Sequence, residues 1–151
     1  MNKAMKCGAA VAGALVLGGL GAVAPSAGTP PMDDFRLVKL CPTADDPAAC
    51  DIVESEPFQE LVGGRISYED RVYWENPAGF TFEIARVTLT TGDDSGMVMG
   101  QVRWLKDSGK FTLRQGSGSL AGLHALGTVE YTGEQDGRAE FTLVGTYHVQ
   151  P

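Results

Sequence analysis

From Gly63 to Val149 apolar residues recur at a spacing close to two, the period of strands whose successive side chains point to opposite faces. "GGRISYEDRVYWE" puts Ile66, Tyr68, Asp70, Val72 and Trp74 on one side and Arg65, Ser67, Glu69 and Arg71 on the other, an apolar face with one acid in it. After the turn "NPAG", the run "FTFEIARVTLTT" has Phe80, Phe82 and Ile84 in one phase and Val87 and Leu89 in the other, so a bulge is expected near Ala85 and Arg86. "TGDDSG" turns into "MVMGQVRWL", with Val98, Val102 and Trp104 on one face and Met97, Met99 and Leu105 on the other. "KFTLRQ", "LGTVEYT" and "RAEFTLVGTYHVQ" follow, the last with Ala139, Phe141, Leu143, Gly145, Tyr147 and Val149 sharing a face.

No segment of this stretch sustains a helical period over three turns, so the pattern predicts an all-β domain. Six strands are strong, and "DDFRLVKL" and "DIVESEPFQELV" offer one or two more. Short antiparallel strands in close succession suit a meander that closes on itself and so leaves no exposed edge. The expected architecture is a single antiparallel, calycin-like barrel of about eight strands; a two-sheet sandwich is the alternative. Residues 58–151 form the barrel domain in this reading. Residues 29–57 hold five prolines and few aromatics and read as an extended arm with a disulfide loop.

"RQGSGSLAGLHALGTVEY" is dense in glycine and raises the question of a phosphate-binding turn. That turn needs G-x-G-x-x-G between a strand and a helix. Here Gly116, Gly118 and Gly122 are one residue too widely spaced, and a strand-like run follows. The glycines fit a barrel corner better, where backbone bends sharply or passes close to backbone, with Leu120 and Leu123 plugging one end.

The first 28 residues differ from the rest. Lys3 and Lys6 precede an apolar run of small residues from Gly8 to Val23, and Ala, Ser and Gly follow, the order of a secretory signal peptide cut between Ala24 and Gly28. A retained anchor is the alternative, but the run is short and glycine-rich for a span of roughly 20 apolar residues. Cleavage removes Cys7 and leaves Cys41 and Cys50, an even pair that in an exported chain reads as a disulfide more readily than as a metal site. The formal net charge of −7 becomes more negative once Lys3 and Lys6 are gone. With no Lys/Arg cluster to offset that charge, nucleic acid is excluded as a partner. The expectation is a secreted, extracytoplasmic protein, off the membrane after cleavage.

"GKFTLRQGSGSLAGLHALGTVEY" with the later strand "FTLVGTYHV" resembles the allene oxide cyclase barrel-like family, related in form to dirigent proteins, and a bacterial group of small barrels with a G-x-G-x-L-x-G-L-x-x-x-G segment. The similarity spans Gly63 to Val149 and rests on patterned glycines and leucines. It implies an eight-stranded barrel, trimeric in some members, whose apolar cavity holds a small hydrophobic molecule and needs no metal or organic cofactor. The characterised cyclases shape a reactive intermediate during ring closure. No catalytic acid of theirs aligns with a residue of this chain, so that activity is not carried over.

In a barrel, only the inward face lets several side chains meet one ligand. Tyr68, Trp74, Trp104, Tyr131 and Tyr147 would line an apolar pocket there, or else fill the barrel solid. Asp70, among apolar neighbours on its face, is the candidate general acid or base. Alternatively Arg103 or Arg86 neutralises it, or a bulge delivers it to solvent. His124 lies in the glycine segment, at a barrel mouth where it could touch ligand, and His148 points outward. The functional expectation is a small-molecule binder, acting as a cofactor-independent cyclase or isomerase if it is an enzyme. The rival is a non-catalytic binding or structural protein with a packed barrel. Met97, Met99 and Leu105 form an outward patch suited to self-association as a trimer.

Overall fold

A computed structural model of the protein describes residues 31–43, 47–78, 81–105 and 108–151. The expected signal peptide, and Phe80, lie outside the described residues. Eight strands, β1 (Asp33–Pro42), β2 (Ala49–Glu56), β3 (Arg65–Glu75), β4 (Thr81–Thr90), β5 (Gly96–Leu105), β6 (Ser108–Gly118), β7 (Leu123–Gln135) and β8 (Arg138–Val149), form a closed barrel. Each pairs antiparallel with the next, and β8 returns to β1 along a ladder from Asp33↔Tyr147 to Pro42↔Arg138. Closure leaves no edge strand, and the sandwich alternative falls away.

Asp33–Pro42 and Ala49–Glu56 are therefore staves of the barrel and not an appended arm. Their prolines sit where the ladder does not need an N–H: Pro42 ends β1, and Pro47 and Pro57 flank β2. Between them Phe35, Leu37 and Ile52 are buried in the common core. Cys41 and Cys50 are joined, with a Cα–Cα distance of 4.3 Å, and tie the end of β1 to the start of β2. Closing so short a loop stabilises the fold by about 2 to 3 kcal/mol in the chain-entropy account.

The two ends of the barrel differ. One carries the β2–β3, β4–β5 and β6–β7 connections, and there Leu61, Leu120 and Leu123 are fully buried. Gly116 lies where β6 meets this plug, and a Cβ on it would stand 1.8 Å from the Leu120 carbonyl oxygen. Gly122, at φ +75°, would bring a Cβ to 2.0 Å from the Gln150 carbonyl oxygen. The glycine-rich segment thus allows close backbone approach at a corner. Above the plug the bore is packed, leaving a void of about 10 Å³ among Val87, Val102, Leu113 and Lys39.

The bulge lies on β3, across from the expected place on β4. Register shifts between Glu69 and Val72, Asp70 adopts φ 47°, and Glu69 pairs with Arg86. An extra residue reverses which face every later side chain takes. Ile66 and Tyr68 face the bore, whereas Val72 (57% exposed) and Trp74 (44% exposed) emerge on the outer wall. β4 runs unbroken instead, with Ala85, Val87 and Leu89 buried inside and Phe82 and Ile84 half-buried on the opposite face.

Candidate functional site

The end opposite the plug carries the disulfide and the β3–β4, β5–β6 and β7–β8 hairpins, and it opens into a cavity of about 290 Å³. Its walls come from Lys39, Tyr68, Arg71, Glu83, Trp104, Tyr131 and Phe141, with the disulfide and Pro47 at one side. Alternation along β1 delivers the lysine: Phe35, Leu37, Lys39 and Cys41 share the inward face, so the side chain after two core residues enters the bore.

Lys39 is 3% exposed. Its Nζ sits 4.7 Å from the Tyr68 ring centroid, 4.9 Å from that of Phe141 and 5.6 Å from that of Trp104. It also hydrogen-bonds the Tyr68 hydroxyl. Among the described residues no carboxylate forms an ion pair with it. Burial, and then the positive charge of Arg71, pull its pKa down to about 7, against a smaller upward pull from Glu83. Burial, and then Glu83, push the Tyr68 phenol above its ordinary range. The floor of the cavity is thus an amine that exchanges its proton near neutrality, held by a phenol that keeps its own.

Arg71 and Glu83 form the polar side of the mouth. The bulge turns Arg71 inward, its guanidinium carbon 4.8 Å from the Tyr68 ring centroid. Nη1 lies 3.7 Å from Glu83 Oε1 and donates to the Tyr73 hydroxyl at 3.2 Å, while Nη2 donates to the Pro47 carbonyl. On the apolar side Phe141 meets Trp104 and Tyr131 edge to face, at 5.5 and 5.6 Å between ring centroids.

Three of the sequence candidates, Tyr68, Trp104 and Tyr131, come together here. The others stand elsewhere. Tyr147 packs on Phe58 toward the plugged end, 4.8 Å between centroids. Trp74, turned out by the bulge, stacks on Phe82 at 5.5 Å. His124 lies on the outer wall, stacked on His148 across β7 and β8 at 5.0 Å. Asp70, its side chain 63% exposed, pairs with Arg86 outside the bore. Lys39, Arg71 and Glu83 are the site residues that sequence reasoning missed. For Lys39 the signal was present in the Phe35, Leu37, Lys39, Cys41 alternation; for Arg71 it was hidden by the bulge.

A larger depression of about 580 Å³ runs along the outer wall of β4 to β6, lined by Arg86, Gln101, Arg103 and Arg114. It is a trough of exposed side chains, and Arg86 is already engaged by Asp70 and Glu69. The buried Lys39 amine and the Tyr68, Trp104, Tyr131 and Phe141 rings belong to the open end. Compared with family models, curated proteins and solved structures, the chain matches none. No helix among the described residues is long and apolar enough to cross a membrane.

Proposed function

We propose that the protein is an exported barrel that binds a small amphipathic molecule in its open end. The ligand's apolar body lies against Trp104, Tyr131 and Phe141, and its polar group meets Lys39 and Tyr68. The observation that carries this reading is the cavity of about 290 Å³ with a nearly inaccessible amine at its floor. That volume lies at the small end of ligand sites, roughly 300 to 1,000 Å³, and suits one substituted ring. A desolvated amine under aromatic rings is costly as packing alone, which favours binding over a purely structural barrel. Any acid–base step of a cyclase or isomerase in this cavity falls to its own titratable side chains, Lys39 at the floor and Glu83 at the mouth, since Asp70 stands on the outer wall. The disulfide and the acidic composition support export. The exposed Met97, Leu105, Val72 and Trp74 side chains support self-association of the kind a trimer would use.

Tryptophan emission provides the test, because the chain has two tryptophans and only Trp104 is in the cavity. Titration with cinnamyl alcohol should change the emission of Trp74→Phe saturably and leave that of Trp104→Phe unchanged. A response carried by Trp74, or none in either variant, defeats the proposal.

A further inference from the structure

Aromatic faces and the Tyr68 hydroxyl are what hold the Lys39 amine. Among the described residues Lys39 donates to no backbone carbonyl and has no carboxylate partner, and it ends at a cavity open to small molecules. Its amine is ringed by the faces of Tyr68, Phe141 and Trp104, and it donates a hydrogen bond to the Tyr68 hydroxyl. A lysine desolvated in an apolar pocket beside another cation is the arrangement that makes an amine nucleophilic toward carbonyl carbon. Arg71 is that neighbouring cation.

We infer that the pocket takes a small aromatic or α,β-unsaturated aldehyde and that Lys39 Nζ condenses with its carbonyl to give an imine. This rests on the pocket reading above and names the ligand class it admits. The conjugated body would lie on the aromatic wall, which places the carbonyl at the floor. The nitrogen lone pair forms the new C–N bond while the carbonyl π pair moves to oxygen. That oxygen takes a proton from the attacking nitrogen, either directly or through the Tyr68 hydroxyl, which gives its own proton to the oxygen as it takes one from the nitrogen and so ends unchanged. The nitrogen lone pair of the resulting carbinolamine then expels hydroxide, which leaves as water with the second amine proton, and the C=N bond is complete. Amine and aldehyde yield imine and one water, with no oxidant or reductant. The water departs through the open mouth, and the rings shield the imine from hydrolysis. Burial, which holds the Lys39 amine near a pKa of about 7, supplies the unprotonated form under neutral conditions.

The test treats purified protein with cinnamaldehyde, traps the imine with borohydride, and locates the adduct by peptide mass. A single adduct is expected at Lys39, at least about tenfold above the level at the exposed Lys110, because the aromatic pocket gathers the aldehyde against the Lys39 nitrogen. Yield should rise as pH passes through about 7. Lys39→Met and Lys39→Arg should both abolish it, and circular dichroism confirms that each is folded; if one fails to fold, the other decides. Equal labelling of Lys110 and Lys39, or an adduct that survives in a folded Lys39 variant, overturns the inference. Saturable binding of cinnamyl alcohol without a Lys39 adduct overturns it and leaves the binding proposal standing. The absence of both defeats both.

Discussion

At the residue scale the largest electrostatic liability is Lys39. Folded, it releases its proton near pH 7; the ordinary value for a free lysine is 10.5. Between those values the unfolded chain binds the extra proton, so the stability of the native state rises with pH across that window and is lowest, and level for this group, below it. The expected observation is a wild-type stability that climbs from about pH 7 toward 10.5 relative to Lys39→Met. At about pH 6 Lys39→Met should be more stable by about 1 kcal/mol or more, since an apolar chain of similar shape replaces a buried charge without a carboxylate partner. Urea unfolding across the pH series reads both, and a variant that runs parallel to the wild type contradicts the assignment. Asp70 behaves differently. Its φ of 47° tolerates Asp or Asn but not a β-branched residue. Asp70→Asn should change stability by less than about 1 kcal/mol, and Asp70→Val should lose about 1 to 2 kcal/mol. Ligand binding should survive both.

At the element scale, single-residue irregularities decide which parts of the site could be read from sequence. Alternation in β5 and β8 is uninterrupted from Val98 to Trp104 and from Ala139 to Tyr147, so the inward faces of those strands, with Trp104 and Phe141, are legible directly. In β3 the same rule works through Tyr68 and then reverses, because the extra residue at the bulge inverts everything after it. Trp74 consequently goes outside and Arg71 comes in. The phase change visible in "FTFEIARVTLTT" belongs to two faces of a regular strand, and nothing in the letters distinguishes that from a bulge on β4. β1 and β2 are offered as strands by their sequence but assigned to an arm outside the barrel domain, because proline count suggests an arm, whereas proline position permits staves between. The glycine corner was legible because its spacing excluded the phosphate alternative. Gly116→Ala tests that corner. Its Cβ would meet backbone that cannot yield, and a loss of about 2 to 3 kcal/mol is expected in thermal or denaturant unfolding; a change under about 0.5 kcal/mol would mean the plug is looser than its packing indicates.

At the scale of the whole molecule, the barrel is a tube stoppered at one end by leucines and open at the other over an amine. The disulfide joins two staves at the open rim, so it serves both the stability of the closed ring and the shape of the mouth. Removing it as Cys41→Ser with Cys50→Ser should lower stability by about 2 to 3 kcal/mol while the barrel still closes through its other pairings. Binding of cinnamyl alcohol should weaken more than that of any single outer-wall variant. The two depressions also make opposite claims about where a ligand goes, one aromatic over a buried amine, the other arginine-lined. The most direct measurement is a nuclear magnetic resonance titration of isotope-labelled protein with cinnamyl alcohol. The account predicts saturating shifts confined to Lys39, Tyr68, Arg71, Trp104, Tyr131 and Phe141; shifts centred on Arg86, Arg103 and Arg114, or none at the open end, would contradict it.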